Sequence, residues 1–382
     1  MLTTYVLGAG FSRPGGLPLG DELFAEVIDL AKQSVLWQNF LRPDLLRYIL
    51  FVRRTSGRRL HLADVGADFE HFMSFLDIEH TLRLTGSNTW TNTGNKTQLI
   101  VRNLIAKVLY RGQWQMNGAA KQFYDDFARK LDSTDYVVTF NYDTVLEDAL
   151  NRVGVRYRLF PARFKEVDRW GGGTYADDDD EVAILKMHGS IDWFDRSDFD
   201  AQCRDWKERG WSGVPLDEVF STAEYQLEPL IDGVYPPSPL TNIYRVRNLN
   251  RYLSLASLVR DAPVLISPSF SKILYINPVS DFWYSFGGFG SWARKLVIIG
   301  FSMPSHDEYV QQGMYSLVRN FQHVKLGKRT PKSKLKMIDF RRTKKAIADY
   351  KRTYGFVDWR SADLLLDGFN SDALSFLFGN SG

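Results

Sequence analysis

Six short apolar runs, each closed by a polar or glycine-rich turn, punctuate this chain: Tyr5-Val6-Leu7, Tyr136-Val137-Val138-Thr139-Phe140, Val182-Ala183-Ile184-Leu185-Lys186-Met187, Val264-Leu265-Ile266, Leu296-Val297-Ile298-Ile299 and Lys336-Met337-Ile338-Asp339-Phe340. Near-continuous β-branched and aliphatic content suits strands covered on both faces. After the first run the period changes. Leu23, Phe24, Val27, Ile28 and Leu30 fall on one face at helical spacing. Helices are predicted over 21–33, 35–53, 68–84, 97–112 and 118–132. Strands interleaved with helices point to an α/β fold with a parallel sheet and helices on both faces. About 130 residues separate the first two runs, too many for a simple crossover. The reading is therefore a discontinuous core (1–20, 133–200 and 260–382), a helical insertion (21–132) and an irregular, partly helical insertion (201–259). A helical piece, Leu249 to Val259, leads into the run at 264.

Composition narrows the class. A chain of 382 residues can bury a large core. Its net charge of +3 is too small to force a nucleic-acid reading, and 14% aromatic residues argue for a packed protein. Cys203 is the single cysteine, which excludes an internal disulfide and a cysteine-based zinc site. No basic leader or membrane-length apolar stretch is present, so a reduced, cytoplasmic setting without membrane association is expected. Two charge runs read first as solvated surface: the acids Asp177 to Glu181, and Lys325 to Arg352 with twelve Lys or Arg. Direct nucleic-acid binding by the second stays open.

The chemistry gathers at the ends of the runs. The first leads into Gly8-Ala9-Gly10-Phe11-Ser12, the second into Asn141-Tyr142-Asp143, the third into His188-Gly189-Ser190. The fifth leads into Gly300-Phe301-Ser302, and the sixth ends in Asp339. In an open parallel sheet, ligands bind outside the carboxyl ends of the strands. If the strands are neighbours, these polar groups share one crevice. Gly8 and Gly10 would bring backbone amides to a phosphate that a Cβ would hold off, with Ser12 as a further donor. Arg13 occupies the third glycine position of G-x-G-x-x-G, and no acid-ended second strand follows, which disfavours an ordinary dehydrogenase half. His188 has the chemistry of a general base. Asn141 and Asp143 could bind a sugar and place a water, or merely cap a helix. Ser305-His306-Asp307-Glu308 reads as a capping box.

Taken together and in order, G-A-G-x-S, T-x-N-x-D (Thr139 to Asp143), H-G (His188-Gly189) and G-x-S resemble the sirtuin superfamily, as does the step Leu17-Pro18. The resemblance implies a Rossmann-like domain that binds NAD⁺ in an extended pose, with a smaller module over the cleft. It implies Asn141, Asp143 and His188 as the catalytic set. The cofactor-binding set would be Gly8, Ala9, Gly10, Phe11, Ser12, Asp21, Asn141, Gly300, Ser302 and Asp339, without metal ligands. The departures matter equally. The four-cysteine zinc module usual between H-G and G-x-S is missing, and Leu19-Gly20-Asp21 replaces the aromatic and arginine residues that commonly follow the proline.

The pattern is thus more similar to the sirtuin-like NAD⁺ hydrolases of bacterial antiviral defence. That resemblance implies NAD⁺ as substrate rather than retained cofactor, no zinc, and cleavage to ADP-ribose and nicotinamide. It also implies restraint by homo-oligomeric assembly or by a separate defence partner, such as an ATPase or a nucleic-acid-guided protein. The rival expectations are an NAD-dependent protein deacylase and a noncatalytic nucleotide-binding subunit of an assembly.

Overall fold

The computed structural model describes residues 2–84, 94–176, 180–217, 219–253, 262–271, 275–284, 286–304, 307–324 and 332–379. In chain order the strands are β1 (Thr3–Leu7), β2 (Tyr136–Thr139), β3 (Tyr157–Arg158), β4 (Phe164–Val167), β5 (Gly173–Tyr175), β6 (Val182–Lys186), β7 (Trp193–Asp195), β8 (Leu227–Pro229), β9 (Ile243–Val246), β10 (Lys295–Ile299), β11 (Leu335–Ile338) and β12 (Ala362–Leu365). The helices up to β2 are α1 (Ala9–Ser12), α2 (Gly20–Lys32), α3 (Arg42–Ser56), α4 (Phe69–Thr81), α5 (Lys96–Gln115) and α6 (Gly118–Ala128). After β2 come α7 (Val145–Val153), α8 (Ser197–Glu208), α9 (Ser280–Trp283), α10 (Phe286–Trp292), α11 (Glu308–His323), α12 (Lys344–Thr353) and α13 (Ser371–Phe378).

Seven strands form one parallel sheet in the order β12-β11-β10-β1-β2-β6-β3. β1 and β6 are buried along their whole length, as near-continuous apolar runs require when both faces are covered. Tyr5 packs its ring on Phe127 of α6. Its neighbour in sequence, Thr4, pairs with Tyr136, which packs on Phe289 of α10. Successive residues of a strand point to opposite faces, so these two contacts put helices on both sides. This is a Rossmann-like sheet, as the alternation of elements predicts.

The order reverses at β1: the chain winds through β2, β3 and β6 on one side and β10, β11 and β12 on the other. Such a switch point opens a crevice between loops that leave in opposite directions. The register sharpens it. Leu365, Ile338, Ile299, Leu7, Thr139 and Lys186 form one continuous row of paired residues, so six strands reach this level together.

Three expectations change. The run at 264–266 adds no strand to the parallel sheet; Leu265 bridges Gly189 in antiparallel fashion. The strands β3 and β12 carry too little apolar contrast to stand out in sequence, being half-buried edge strands. The stretch read as irregular or helical contains β8 and β9, which join β7 in a small antiparallel sheet. Its helical piece begins as a short 3₁₀ turn at Leu249–Tyr252, while 254–259 lie outside the described residues.

The charge runs also differ from solvated surface. Residues 177–179 lie outside the described residues, but Glu181 is buried between Arg156 (3.3 Å) and Arg163 (2.9 Å). In the basic run, 325–331 lie outside the described residues. Lys332 donates to the carbonyls of Gly290 and Asn320, Lys336 to those of Phe376 and Leu377, and Lys334 pairs with Asp363. Those cations hold the fold's own acceptors. The helix expected to start in a capping box starts at Glu308, with Asp307 as N-cap and no side-chain cap bond; Ser305 and His306 lie outside the described residues.

Candidate active site

The glycines of the first loop have a packing reason that the sequence does not reveal. A Cβ on Gly8 would lie 2.5 Å from the carbonyl oxygen of Gly300, and one on Gly10 would lie 2.6 Å from its Cα. Gly300 has φ +59, and a Cβ there would lie 2.4 Å from Gly10. The loops after β1 and β10 therefore abut backbone to backbone at the switch point. Their amides follow suit: Gly8 donates to Ile299 and Gly10 to Gly300. The Gly8 and Gly10 amides are thus engaged inside the protein. Ala9 and Ser302 are the exposed members of these loops, whereas Phe11 is 1% exposed and packs on Tyr124, Phe127 and Phe369. Its ring belongs to the core. Asp21 opens the first turn of α2, and its side chain lies outside the described residues.

Beside this junction a polar relay closes. The Ser12 hydroxyl donates to Asp143 Oδ2 at 2.8 Å, and the Val145 amide donates to Asp143 Oδ1 at 3.1 Å. Asn141 Nδ2 donates to the Gly8 carbonyl at 3.0 Å and to Ser12 Oγ at 3.2 Å. An amide nitrogen has two hydrogens, so both are committed and Oδ1 is left as the acceptor. Asp143 does cap the start of α7, as its residue type allows, yet it also orients Ser12. All three side chains are buried. Burial pushes the Asp143 carboxyl above the usual carboxylate range, opposed by the Lys186 ammonium and by the Ser12 and Val145 donors.

His188 lies two residues past Lys186, as Asn141 lies two past its partner Thr139, so the two follow the ends of adjacent strands. It is 8% exposed and walled by Phe140, whose ring meets it edge-on at 5.1 Å, and by Tyr142 at 6.3 Å. The Tyr309 hydroxyl lies 2.9 Å from His188 Nε2. Burial keeps that phenol far above its usual range, so it stays protonated, and it donates where Nε2 is the unprotonated nitrogen of the ring. Tyr142 anchors the loop by donating to the Ile266 carbonyl at 2.7 Å. At the far end of the crevice, Asp339 follows the row of strand ends. It accepts from the Phe340 amide at 2.6 Å and from Arg341 at 3.3 Å. Burial raises its carboxyl, with Arg341 and the Phe340 amide opposing. The buried Tyr350, whose hydroxyl feels the Asp339 charge, packs its ring on Tyr354 at 4.9 Å.

Sequence reasoning missed Tyr309, Lys186 and Glu147. Lys186 and Glu147 form a buried ion pair at 2.7 Å under the relay. A lysine inside an otherwise apolar, doubly covered strand was the available signal. Nothing in sequence marks Tyr309, which reaches His188 only through the placement of α11. Among the described residues no group of His, Cys, Asp or Glu is arranged to hold a metal ion, and no helix is long and apolar enough to cross a membrane.

A parallel sheet with a glycine turn at its switch point and polar residues along its strand ends defines a Rossmann-like nucleotide-binding architecture. Residues 135–206, which hold Asn141, Asp143, Lys186 and His188, match the family model of the SIR2-like domain. This segment of the chain is thus similar to the SIR2-like domain, a likeness that supports NAD-dependent activity in general. Solved structures are similar at 12% identity. One of Sir2Tm bound to a propionylated peptide covers 96% of this chain and 87% of its own, with a TM-score of 0.30. A Sir2 homologue in complex with ADP ribose covers 99% and 90%, with a TM-score of 0.34. No curated protein matches the sequence.

Proposed function

We propose that this chain is an NAD⁺ hydrolase that cleaves the ribosyl–nicotinamide bond to give ADP-ribose and nicotinamide. The observation that carries the reading is an acceptor-only Asn141 Oδ1 on the loop after β2, with His188 on the loop after the neighbouring β6. The leaving nicotinamide is neutral once the C1′–N bond breaks, so no acid is needed to expel it. The transition state is oxocarbenium-like, and water supplies the new C1′–O bond. Asn141 Oδ1 accepts one hydrogen of that water and turns its lone pair toward C1′. His188 Nε2 takes the proton released. The ionised Asp143 keeps Ser12 and Asn141 in this polarity. At the other end, the Asp339 carboxylate suits the hydroxyls of an adenosine. The donor set thus fits NAD⁺ along the crevice.

Unrestrained NAD⁺ hydrolysis is toxic to its host, so the reading extends to an effector of antiphage defence. Self-assembly or a separate partner would gate it, and the Tyr309 contact supports a resting state. Removing that donor frees the Nε2 lone pair. Tyr309→Phe is expected to raise partner-free nicotinamide release by about 2–10-fold, the worth of one net hydrogen bond; an equal or lower rate would show that Tyr309 assists rather than restrains. The decisive assay incubates the purified chain with NAD⁺, alone and with candidate partners, and identifies products by chromatography. ADP-ribose and nicotinamide formed without peptide support the proposal. Release only in the presence of an acyl-lysine peptide would make the chain a deacylase, and binding without turnover would make it a nucleotide-binding subunit.

A further inference from the structure

Lys186 touches no part of the proposed reaction, yet the fold buries its side chain completely, at 0% exposure. Its Nζ donates to Glu147 Oε1 at 2.7 Å and to the backbone carbonyl of Asp143. A lysine in a doubly covered strand is costly to bury unless paired. An alanine or valine would fill a sheet position at no such cost. The position is telling. Lys186 pairs in register with Thr139, so it lies two residues before His188 and level with the residue two before Asn141.

The relay above it has two possible polarities. With Asp143 ionised, both of its oxygens accept, from Val145 and from Ser12. Ser12 then has only lone pairs for Asn141, whose Nδ2 must donate. A protonated Asp143 needs an acceptor for its own hydrogen, and Ser12 becomes free to donate to Asn141 Oδ1 instead. That would remove the acceptor on which the placement of water depends. We propose that Lys186 is a positioning residue: by gripping the Asp143 carbonyl as a buried cation, it holds the Asp143–Ser12–Asn141 relay in the polarity that presents Asn141 Oδ1 to the cleft. The inference rests on the reading of this cleft as the site of NAD⁺ cleavage.

The charges around Asp143 agree. Burial raises its carboxyl, and the Lys186 charge opposes this together with the Ser12 hydroxyl and the Val145 amide. The other titratable groups are the Tyr124 phenol of α6 and, around Lys186, Glu147 of α7 and Asp192 after β6. Turnover requires ionised Asp143, so it falls as pH drops through the Asp143 titration. Without Lys186 that titration lies higher, and the acid limb of the pH profile moves up.

The test is the paired replacement Lys186→Met with Glu147→Leu, because removing one charge alone strands the other in the core. The double variant is expected to fold and to bind ADP-ribose within about threefold of the unmodified chain. Its kcat for NAD⁺ cleavage should fall by about 10–100-fold through lost positioning, with the acid limb at least about one pH unit higher. The ¹³C carboxyl signal of Asp143, assigned by its absence in Asp143→Asn, should titrate higher by the same amount. A folded double variant with unchanged kcat and acid limb overturns the inference. If the unmodified chain cleaves no NAD⁺, the proposed function fails, and the ¹³C titration still decides this point: an unmoved signal overturns it. Should the double variant not fold, the neutral polar pair Lys186→Gln with Glu147→Gln takes over; the Asp143 signal must again titrate higher, and an unmoved signal overturns the inference.

Discussion

Substitution of His188 by Ala is expected to lower NAD⁺ cleavage by about 10²–10⁴-fold, the usual contribution of a general base, while ADP-ribose still binds. The imidazole follows the carboxyl end of β6 as Asn141 follows that of β2, and it is closed in by Phe140 and Tyr142. Its Nε2 lies 2.9 Å from the Tyr309 hydroxyl and is the acceptor in the Nδ1–H tautomer. Binding should survive because Gly8, Ser12, Asn141, Gly300 and Asp339 sit on other strand ends of the same row. The split is read by rapid-quench or steady-state nicotinamide release alongside calorimetric titration with ADP-ribose. Turnover at the unmodified rate would remove His188 from the reaction.

A second large effect concerns the backbone rather than a reacting group. Gly189 has φ +82, and a Cβ there would lie 1.9 Å from the carbonyl oxygen of Val264. The approach is enforced from both sides: Ser190 donates to Val264 at 3.0 Å and Ile266 donates to His188 at 2.9 Å. Gly189→Ala must therefore bear the left-handed conformation, about 1–2 kcal/mol, and the displacement of packed backbone, about 1–3 kcal/mol, together about 2–5 kcal/mol. Gly16→Ala is the control, since Gly16 has φ +84 with nothing within 4 Å of the added atom. It should lose only the conformational part. Denaturant unfolding of both variants separates the two costs, and equal losses would contradict the contact with Val264. Because that contact seats the loop carrying His188, Gly189→Ala should also cut turnover even where it folds.

The H-G pair illustrates where legibility in sequence stops. His188 stands out because it follows an apolar strand directly, but the glycine behind it looks like any turn residue. Its need arises from a segment about 75 residues later, Val264 to Ile266, whose Val264 carbonyl oxygen occupies the space a Cβ would take. The same segment misled the strand reading: its three apolar residues are buried against the 188–193 turn, not within the sheet. An apolar run reports burial and leaves the partner unspecified. Glu181 makes the converse point. A run of five acids reads as solvent-facing, yet its last member is buried and pairs with two arginines that flank β3.

By itself the sequence determined the α/β class, the strands β1, β2, β6, β10 and β11, and the polar residue types that end them. Those are local properties, set by apolar runs and by the turn residues that close them. Only the tertiary structure decided that the ends of six strands share one register row, that Gly8 and Gly10 are small because Gly300 lies against them, and that Asn141 presents an oxygen. These depend on pairings between separate segments of the chain, more than a hundred residues apart for both neighbours of β1. A hydrogen bond from Ser12 to Asp143, or from Tyr309 to His188, leaves no trace in the spacing of either residue along the chain.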